Sequence, residues 1–218
     1  MRPRVTLHYA QSLDGRIARH GRTTRLSSPE GLVHAHRARA SHDAVLVGAE
    51  TVRVDDPLLT VRACEGPQPA RVVLSTTLAL PRTARFVTDR TGAGPRVVVG
   101  TREHARPEER AFLESQGVSI VLVGSEAPHR ASLPEALAAL AERGVRRLLV
   151  EGGGRVLTSL LAAGLADELS AEVAPVLLGD EGTPAVGALG GPAITLEEVR
   201  HEVDGGHVFV KGRIARGA

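Results

Sequence analysis

A glycine run between a strand-like and a helix-like segment constrains this chain most strongly. Residues 148–151 (Leu-Leu-Val-Glu) predict a buried strand, and Gly152-Gly153-Gly154 leads from it into a helix. Glycines lack the Cβ atoms that would hold a bulky anion away from the backbone. The first N–H groups of a helix are unpaired and carry the positive end of its dipole. The pattern predicts an anion-binding turn beside Glu151 at the carboxyl edge of a sheet. An ordinary connecting turn is the alternative.

Strand-like and helix-like segments alternate along most of the chain. Apolar or alternating runs predict strands over residues 5–10, 43–48, 71–75, 96–100, 118–123 and 168–175. Helices are expected over residues 29–40, 107–116, 133–143 and 155–163, with a short helical turn or loop over 49–57. Ser27 is the expected cap of the first helix, with Pro29 at its first position and Glu30 completing a capping box.

The end of the chain has a different pattern. Residues 176–192 are rich in glycine and proline and predict a loop. Two strand-like segments, 194–203 and 207–214, flank Asp204-Gly205-Gly206, which is a hairpin signal. The whole pattern indicates an α/β protein, with a mixed sheet, helices on both faces and a C-terminal antiparallel hairpin.

Length and composition narrow the protein class. At 218 residues the chain is most simply one domain, residues 1–218. Its 27 basic and 25 acidic residues nearly balance, and only 2% of its residues are aromatic, so we expect no nucleic-acid partner. The single cysteine, Cys64, excludes an intrachain disulfide framework. No apolar run approaches membrane-spanning length and no leader pattern precedes the first strand, so we expect no membrane partner and a cytoplasmic location.

Metal and nucleophile chemistry find little support. Among the nine histidines, His34 and His36 stand two apart, on different faces of the expected helix. There is neither an HExxH nor a Gly-x-Ser-x-Gly motif. We therefore expect no metal site and no serine nucleophile.

Several short motifs, in order, carry a family resemblance. They are Ser12-Leu13-Asp14-Gly15-Arg16, the run from Val47 to Val52, Asp55-Asp56-Pro57-Leu58-Leu59-Thr60-Val61-Arg62, Val150-Glu151-Gly152-Gly153-Gly154, and the run from Ala174 to Gly179. Together they resemble the reductase domain of riboflavin biosynthesis, of the RibD C-terminal type, across residues 5–214. That domain is often fused to a zinc deaminase, whose Pro-Cys-x-x-Cys motif this chain lacks.

The resemblance implies a fold, a reaction and a set of contacts. The fold would be dihydrofolate-reductase-like, and the family commonly forms homodimers. NADPH would reduce the ribosyl group of a phosphorylated ribosylaminopyrimidine to a ribityl group. The implied cofactor contacts are Ala10, Thr51, Asp55 and the turn and helix start Gly152, Gly153, Gly154, Arg155, Val156 and Leu157, continuing to Ser159. The implied substrate contacts are Thr23, Arg39, Leu59, Arg62 and Glu151.

Two positions depart from the family pattern. Thr23 stands where relatives often carry serine, and it keeps the hydroxyl. Arg25 stands beside the cofactor where relatives often carry tryptophan. Arg102, after the strand at 96–100, is a further candidate for the cofactor 2′-phosphate. Asp56 is expected to be a turn residue only, because it precedes Pro57.

The expected chemistry is hydride transfer to C1′ of the ring-opened sugar, which needs no protein nucleophile. Asp55, Glu151 or water would supply the proton. Because Arg25 departs from the family pattern, the second hypothesis is a related reductase that acts on another pyrimidine-like or pterin substrate. A non-catalytic nucleotide-binding protein of the same fold is the third hypothesis.

Overall fold

A nine-stranded sheet runs through the chain in the computed structural model, which describes residues 1–127 and 130–215. The strands are β1 (Arg4–Ser12), β2 (Arg16–Arg19), β3 (Ala44–Gly48), β4 (Ala70–Leu74), β5 (Arg96–Thr101), β6 (Ser119–Val123), β7 (Ser125–Ala127), β8 (Arg130–Ala131), β9 (Arg147–Gly152), β10 (Glu168–Ala174), β11 (Gly182–Pro184), β12 (Leu196–Asp204) and β13 (His207–Ile214). The helices are α1 (Pro29–Ala40), α2 (Ala49–Asp55), α3 (Arg85–Thr88), α4 (Pro107–Ser115), α5 (Leu133–Glu142) and α6 (Gly154–Ala162). One domain over residues 1–218 stays a prediction.

The strand order confirms the mixed, mostly parallel sheet. It is β12-β13-β10-β1-β9-β3-β4-β5-β6, and the seven strands from β10 to β6 are parallel. β13 pairs antiparallel with β10, and β12 pairs antiparallel with β13, as the hairpin signal predicted. Leu7 of β1 lies opposite Val150 of β9. The carboxyl ends of these parallel strands therefore form one edge, from which Glu151 and the glycine turn emerge.

The two faces of the sheet pack against different helices. Leu137 of α5 and Leu157 of α6 belong to one buried cluster with Leu7 and Val150. The other cluster joins strand residues such as Leu149 to side chains from α2, α3 and α4. Because side chains alternate along a strand, Glu151 leaves the same face as Leu149, toward α1. This alternation sets which helix Glu151 can reach.

The start of α1 differs from the prediction. Ser28, not Ser27, is the cap: its Oγ accepts the N–H of Gly31 at 2.9 Å. Glu30 does not close a capping box, because Glu172 of β10 accepts the backbone N–H of Ser28 at 2.8 Å. A Cβ on Gly31 would stand 2.2 Å from a carboxylate oxygen of Glu172. A glycine is therefore needed where the buried carboxylate meets the helix.

Some elements were not predicted. The loop expected over 176–192 contains β11, which pairs with β2. β7 and β8 form a second small sheet, and α3 is a single short helix between β4 and β5. Asp14 joins two of the family motifs, because its carboxylate accepts the N–H groups of Leu178 and Gly179. The Ser12 hydroxyl, which donates to the Asp14 carboxylate, is the largest cause that lowers the pKa of Asp14 to about 2, and the N–H groups of Leu178 and Gly179 add to it.

Candidate active site

The glycine turn leads directly from β9 into α6. Gly153 caps the helix without a side-chain hydrogen bond, and its carbonyl accepts the N–H groups of Val156 and Leu157. Gly152 has φ +124°, a conformation that L side chains rarely adopt, and a Cβ there would meet no atom within 4 Å. Space therefore remains beside Gly152, and the first N–H groups of a helix lack intrahelical partners, which suits a pyrophosphate.

Neighbouring elements fix the position of this turn. The Oγ1 of Thr51, in α2, lies 3.3 Å from where a Cβ on Gly153 would stand. A Cβ on Gly154 would stand only 2.4 Å from the carbonyl oxygen of Pro184, so β11 crosses the helix start closely. Thr51 and the turn, predicted separately as cofactor contacts, are therefore adjacent in space.

Arg39 and Glu151, both predicted to contact substrate, form an ion pair with each other. The Nε and Nη2 of Arg39 each donate to one oxygen of Glu151 at 2.7 Å, and Nη1 donates to the carbonyl of Thr60 at 2.9 Å. The two side chains are 12% and 11% exposed. Burial alone would raise the pKa of Glu151, but Arg39 outweighs it and lowers that pKa. Since a guanidinium has five donors, two remain for a ligand.

Further positive charge surrounds this pair. Arg62 is exposed, and loss of hydration together with the charges of Arg39 and Arg85 lowers its pKa. Within residues 1–127 and 130–215, neither Arg62 nor Arg85 forms an ion pair with an acid. The Glu151 carboxylate thus interacts with both Arg39 and Arg62, and Arg85 adds a further positive charge beside Arg62. Such an excess of positive charge suits a phosphate dianion.

Asp55 and Thr23 lie together at the end of α2. The Thr23 hydroxyl donates to the carbonyl of Val54 at 2.8 Å and also interacts with the Asp55 carboxylate. Loss of hydration raises the pKa of Asp55, and the hydroxyl of Thr23 opposes that shift. Asp56 ends α2 with φ +42°, and its carboxylate accepts the N–H of Arg85. Asp56 is thus a turn residue, as predicted.

The remaining predicted site residues differ in their position on the sheet and in their exposure. Ala10 is near the carboxyl end of β1, beyond the residue that pairs with Val150. Leu59 and Leu157 are buried, side chain and backbone alike, so neither presents atoms to a ligand in this structure. Arg25 and Arg155 are exposed.

Arg102 is not part of this cluster. It follows β5, three strands from β9, about 14 Å along the edge at the usual strand spacing, and donates to Glu135 at 2.8 Å. Its proposed contact with a 2′-phosphate stays a prediction.

Two histidines beside the ion pair were missed. His8, on β1, lies close enough to Glu151 and Arg39 to feel both charges, and burial lowers its pKa. His36 is 3% exposed on α1. The available signal for His36 was its helical spacing, three residues before Arg39, which places both on one helix face.

In the part of the chain that the structure describes, no group of three or more histidine, cysteine, aspartate or glutamate side chains could hold a metal ion. None of the helices within those same ranges combines the length and apolarity needed to cross a bilayer.

Sequence comparison assigns the family. Residues 3–210 match the family model of the RibD C-terminal domain. The chain belongs to this family. It is 36% identical over 197 residues to the 2,5-diamino-6-ribosylamino-4(3H)-pyrimidinone 5′-phosphate reductase of Archaeoglobus fulgidus, covering 85% of this chain and 86% of that protein. It is 37% identical over 203 residues to the riboflavin biosynthesis protein RibD of Bacillus amyloliquefaciens, covering 91% of this chain but only 52% of that protein.

Solved structures agree with this membership in the RibD C-terminal domain family. RibD of Acinetobacter baumannii superimposes with a TM-score of 0.80 at 26% identity, over 99% of this chain and 59% of that one. The riboflavin biosynthesis reductase Rib7 of yeast gives 0.77 at 26% identity, over 98% and 90%. A dihydrofolate reductase from Enterococcus faecalis gives 0.53 at 14% identity, which confirms the dihydrofolate-reductase-like fold alone.

Proposed function

We propose that this protein is an NADPH-dependent reductase of a ribosylaminopyrimidine 5′-phosphate in riboflavin biosynthesis, forming the ribityl product. One observation carries the proposal: the open glycine turn and an arginine cluster with excess positive charge share one edge of the sheet. A dinucleotide and a phosphorylated sugar need these two anion sites side by side. Relatives named as reductases of 2,5-diamino-6-ribosylamino-4(3H)-pyrimidinone 5′-phosphate support the choice of substrate.

The residues around the turn fit a dinucleotide. The first N–H groups of α6 would bind its pyrophosphate, Thr51 would bind beside Gly153, and Ala10 would contact the ring from β1. When bound, NADPH supplies a hydride to C1′ of the opened sugar. The protein's own contribution is to align the two carbons and exclude water.

The arginine cluster would hold the sugar phosphate. Arg62 and Arg85 have guanidinium groups without an acidic partner in the described ranges, and Arg39 keeps two free donors. Glu151 has acceptor capacity left after binding Arg39, which suits the hydroxyl or amino groups of the substrate. Thr23 would contribute its hydroxyl.

Opening the sugar ring breaks the C1′–O4′ bond, forms a C1′=N double bond from the nitrogen lone pair, and requires a proton at O4′. Asp55 is the better proton donor of the two predicted carboxyl groups. Its pKa is raised, whereas Arg39 lowers the pKa of Glu151 and holds it ionised. We therefore assign the proton to Asp55 and the positioning of substrate to Glu151.

Steady-state NADPH oxidation with the deaminated and undeaminated substrates tests this function. Arg62→Ala should raise KM about tenfold or more for the phosphorylated substrate and far less for its dephosphorylated form, because a charge-assisted phosphate contact is lost. Arg143→Ala, at the exposed end of α5, is the matched control. Turnover of neither pyrimidine would reject the function.

Arg25 favours one alternative, because it removes the flat apolar surface that tryptophan offers in relatives. A related reductase of another pyrimidine-like or pterin substrate would bind NADPH and oxidise it only with that substrate. A non-catalytic protein would bind NADPH and oxidise it with none.

A homodimer fits the exposed apolar surface of the hairpin. Val173, Val208 and Val203 pair in register across β10, β13 and β12, so they form one row on one face. Val208 is 38% exposed and Val203 is 71% exposed. A second copy covering this row would remove it from water.

A cytoplasmic location is part of the proposed function, since riboflavin biosynthesis would draw on soluble NADPH.

A further inference from the structure

The segment after α2 that carries Arg62 has an unusual support. Residues 60–62 belong to no strand or helix, yet side chains from elsewhere bind their backbone at each position. Arg39 donates to the carbonyl of Thr60 at 2.9 Å. The Oε1 of Gln68 accepts the N–H of Val61 at 2.8 Å, and its Nε2 donates to the carbonyl of Val61 at 2.6 Å. The backbone is thus fixed without a regular element.

His36 completes this support from α1. Its Nδ1 accepts the N–H of Arg62 at 2.9 Å and lies 3.4 Å from the N–H of Ala63. A ring nitrogen that accepts backbone N–H groups carries no proton, so the imidazole is neutral with its proton on Nε2. Burial, followed by the charges of Arg39 and Arg62, lowers the pKa of His36 to about 4. The ring therefore stays an acceptor at neutral pH.

We propose that His36, together with Gln68, is a positioning residue that fixes the backbone of residues 60–63 so that the Arg62 guanidinium faces the sugar phosphate. The inference rests on the proposed function, since it gives Arg62 the phosphate. His36 and Arg39 share one face of α1, so a single helix holds both ends of the segment. Neither His36 nor Gln68 touches the reacting atoms in this assignment.

The contacts of His36 favour a positioning role over a catalytic role or simple packing. A buried neutral imidazole with its Nδ1 occupied by backbone N–H groups has no accessible lone pair to take a proton from substrate. An apolar side chain of similar size would fill the same space, so packing alone does not require the nitrogen. The nitrogen adds a hydrogen-bond acceptor for the backbone N–H of Arg62.

His36→Leu and His36→Asn separate these roles. Leucine keeps the volume and removes the acceptor, whereas the Asn amide oxygen restores an acceptor near the Nδ1 position. We expect His36→Leu to raise KM for the phosphorylated substrate about tenfold with kcat changed less than about twofold, and His36→Asn to recover most of the loss. Gln68→Leu should act in the same direction. His34→Leu, on the same helix and stacked on Phe209, is the matched control.

A double variant with Arg62→Ala tests whether His36 acts through Arg62. In that background His36→Leu should raise KM less than about twofold, because the group being positioned is gone. Equal effects in both backgrounds, a fall in kcat alone, or no recovery by His36→Asn would overturn the inference. If Arg62→Ala itself leaves the KM of the phosphorylated substrate unchanged, the proposed function of the arginine cluster fails instead. The two failures are therefore distinct.

Discussion

At the residue scale, the Arg39–Glu151 pair is the centre of the proposed site. Two residues expected to contact substrate independently bind each other across 112 positions of sequence. Each pre-orients the other, because the guanidinium fork matches the carboxylate in both position and plane. The ligand then meets a fixed array of two free donors and a carboxylate, without having to order either side chain.

Glu151→Gln should destabilise the protein and impair substrate binding together. Arg39 would keep its charge in a site only 12% exposed, and removing one partner of such a buried pair costs about 3 kcal/mol. Urea unfolding would measure this free energy. Adding Arg39→Met should restore part of the stability while leaving activity low. If stability is unchanged in Glu151→Gln, the pair does not hold α1 to β9.

Acid should destabilise the protein through His36. Its pKa is about 4 in the folded state against 6.5 for an unperturbed histidine, so between these values the unfolded state binds more protons. The free energy of unfolding should therefore fall as pH drops through that window, by roughly 1.4 kcal/mol per pH unit from this group. Urea unfolding at a series of pH values measures the slope. His36→Asn should show a shallower slope, and an equal slope would contradict the assignment.

At the element scale, α1 shows what sequence can and cannot predict. Its bounds follow from local signals, Pro29 at the start and the end of the periodic pattern near Ala40. Its cap was placed one residue early, although Pro29 at the first helical position already indicates Ser28; the acceptor of the Ser28 N–H, Glu172, lies 144 residues away and has no local signal. Local patterns predict where a helix forms, while the partners of its end depend on the folded topology.

The same limit applies to the site. The glycine turn was predictable, since strand, glycines and helix are consecutive. The support of residues 60–62 by His36, Arg39 and Gln68 was not, because side chains reach across from α1 and from a loop. β11 was also missed, because its three residues lie within a run of glycine and proline and pair with a strand far back in the chain.

The start of α6 makes a prediction that compares two glycines. Gly152→Ala should weaken NADPH binding about tenfold or more, because alanine is strained at φ +124° and its methyl enters the space beside the turn. Gly144, after α5, has φ +87° and equally open surroundings. Gly144→Ala should lose comparable stability and leave NADPH binding unchanged. A fluorescence titration with NADPH compares them, and equal affinities in both variants would place the dinucleotide elsewhere.

At the scale of the whole molecule, the sheet is asymmetric. One end, at β6, is covered by helices on both faces, whereas β12 at the other end is exposed along almost its whole length. Charged side chains and a β-bulge between Glu197 and Arg200 protect the edge of β12 itself. The exposed valine row on one face of the hairpin is therefore the surface proposed for a second copy, and that face is self-complementary under two-fold symmetry.

Val203→Glu should disrupt the proposed homodimer. It places a charge in the row formed with Val173 and Val208, where a second copy would have to desolvate it. Leu32→Glu is the matched control, because Leu32 is also exposed, at 52%, but lies on the other face of the sheet. It belongs to α1, whose His34 stacks on Phe209, and Phe209 and its neighbour Val208 point to opposite faces. Sedimentation velocity over a range of concentrations should show the wild type and Leu32→Glu as dimers and Val203→Glu as a monomer. Because the glycine turn follows β9, four strands from β12 and about 19 Å away at the usual strand spacing, the monomer should keep its affinity for NADPH. A wild-type monomer at all concentrations, or a dimer unaffected by the glutamate at 203, would place the interface on another surface or exclude it.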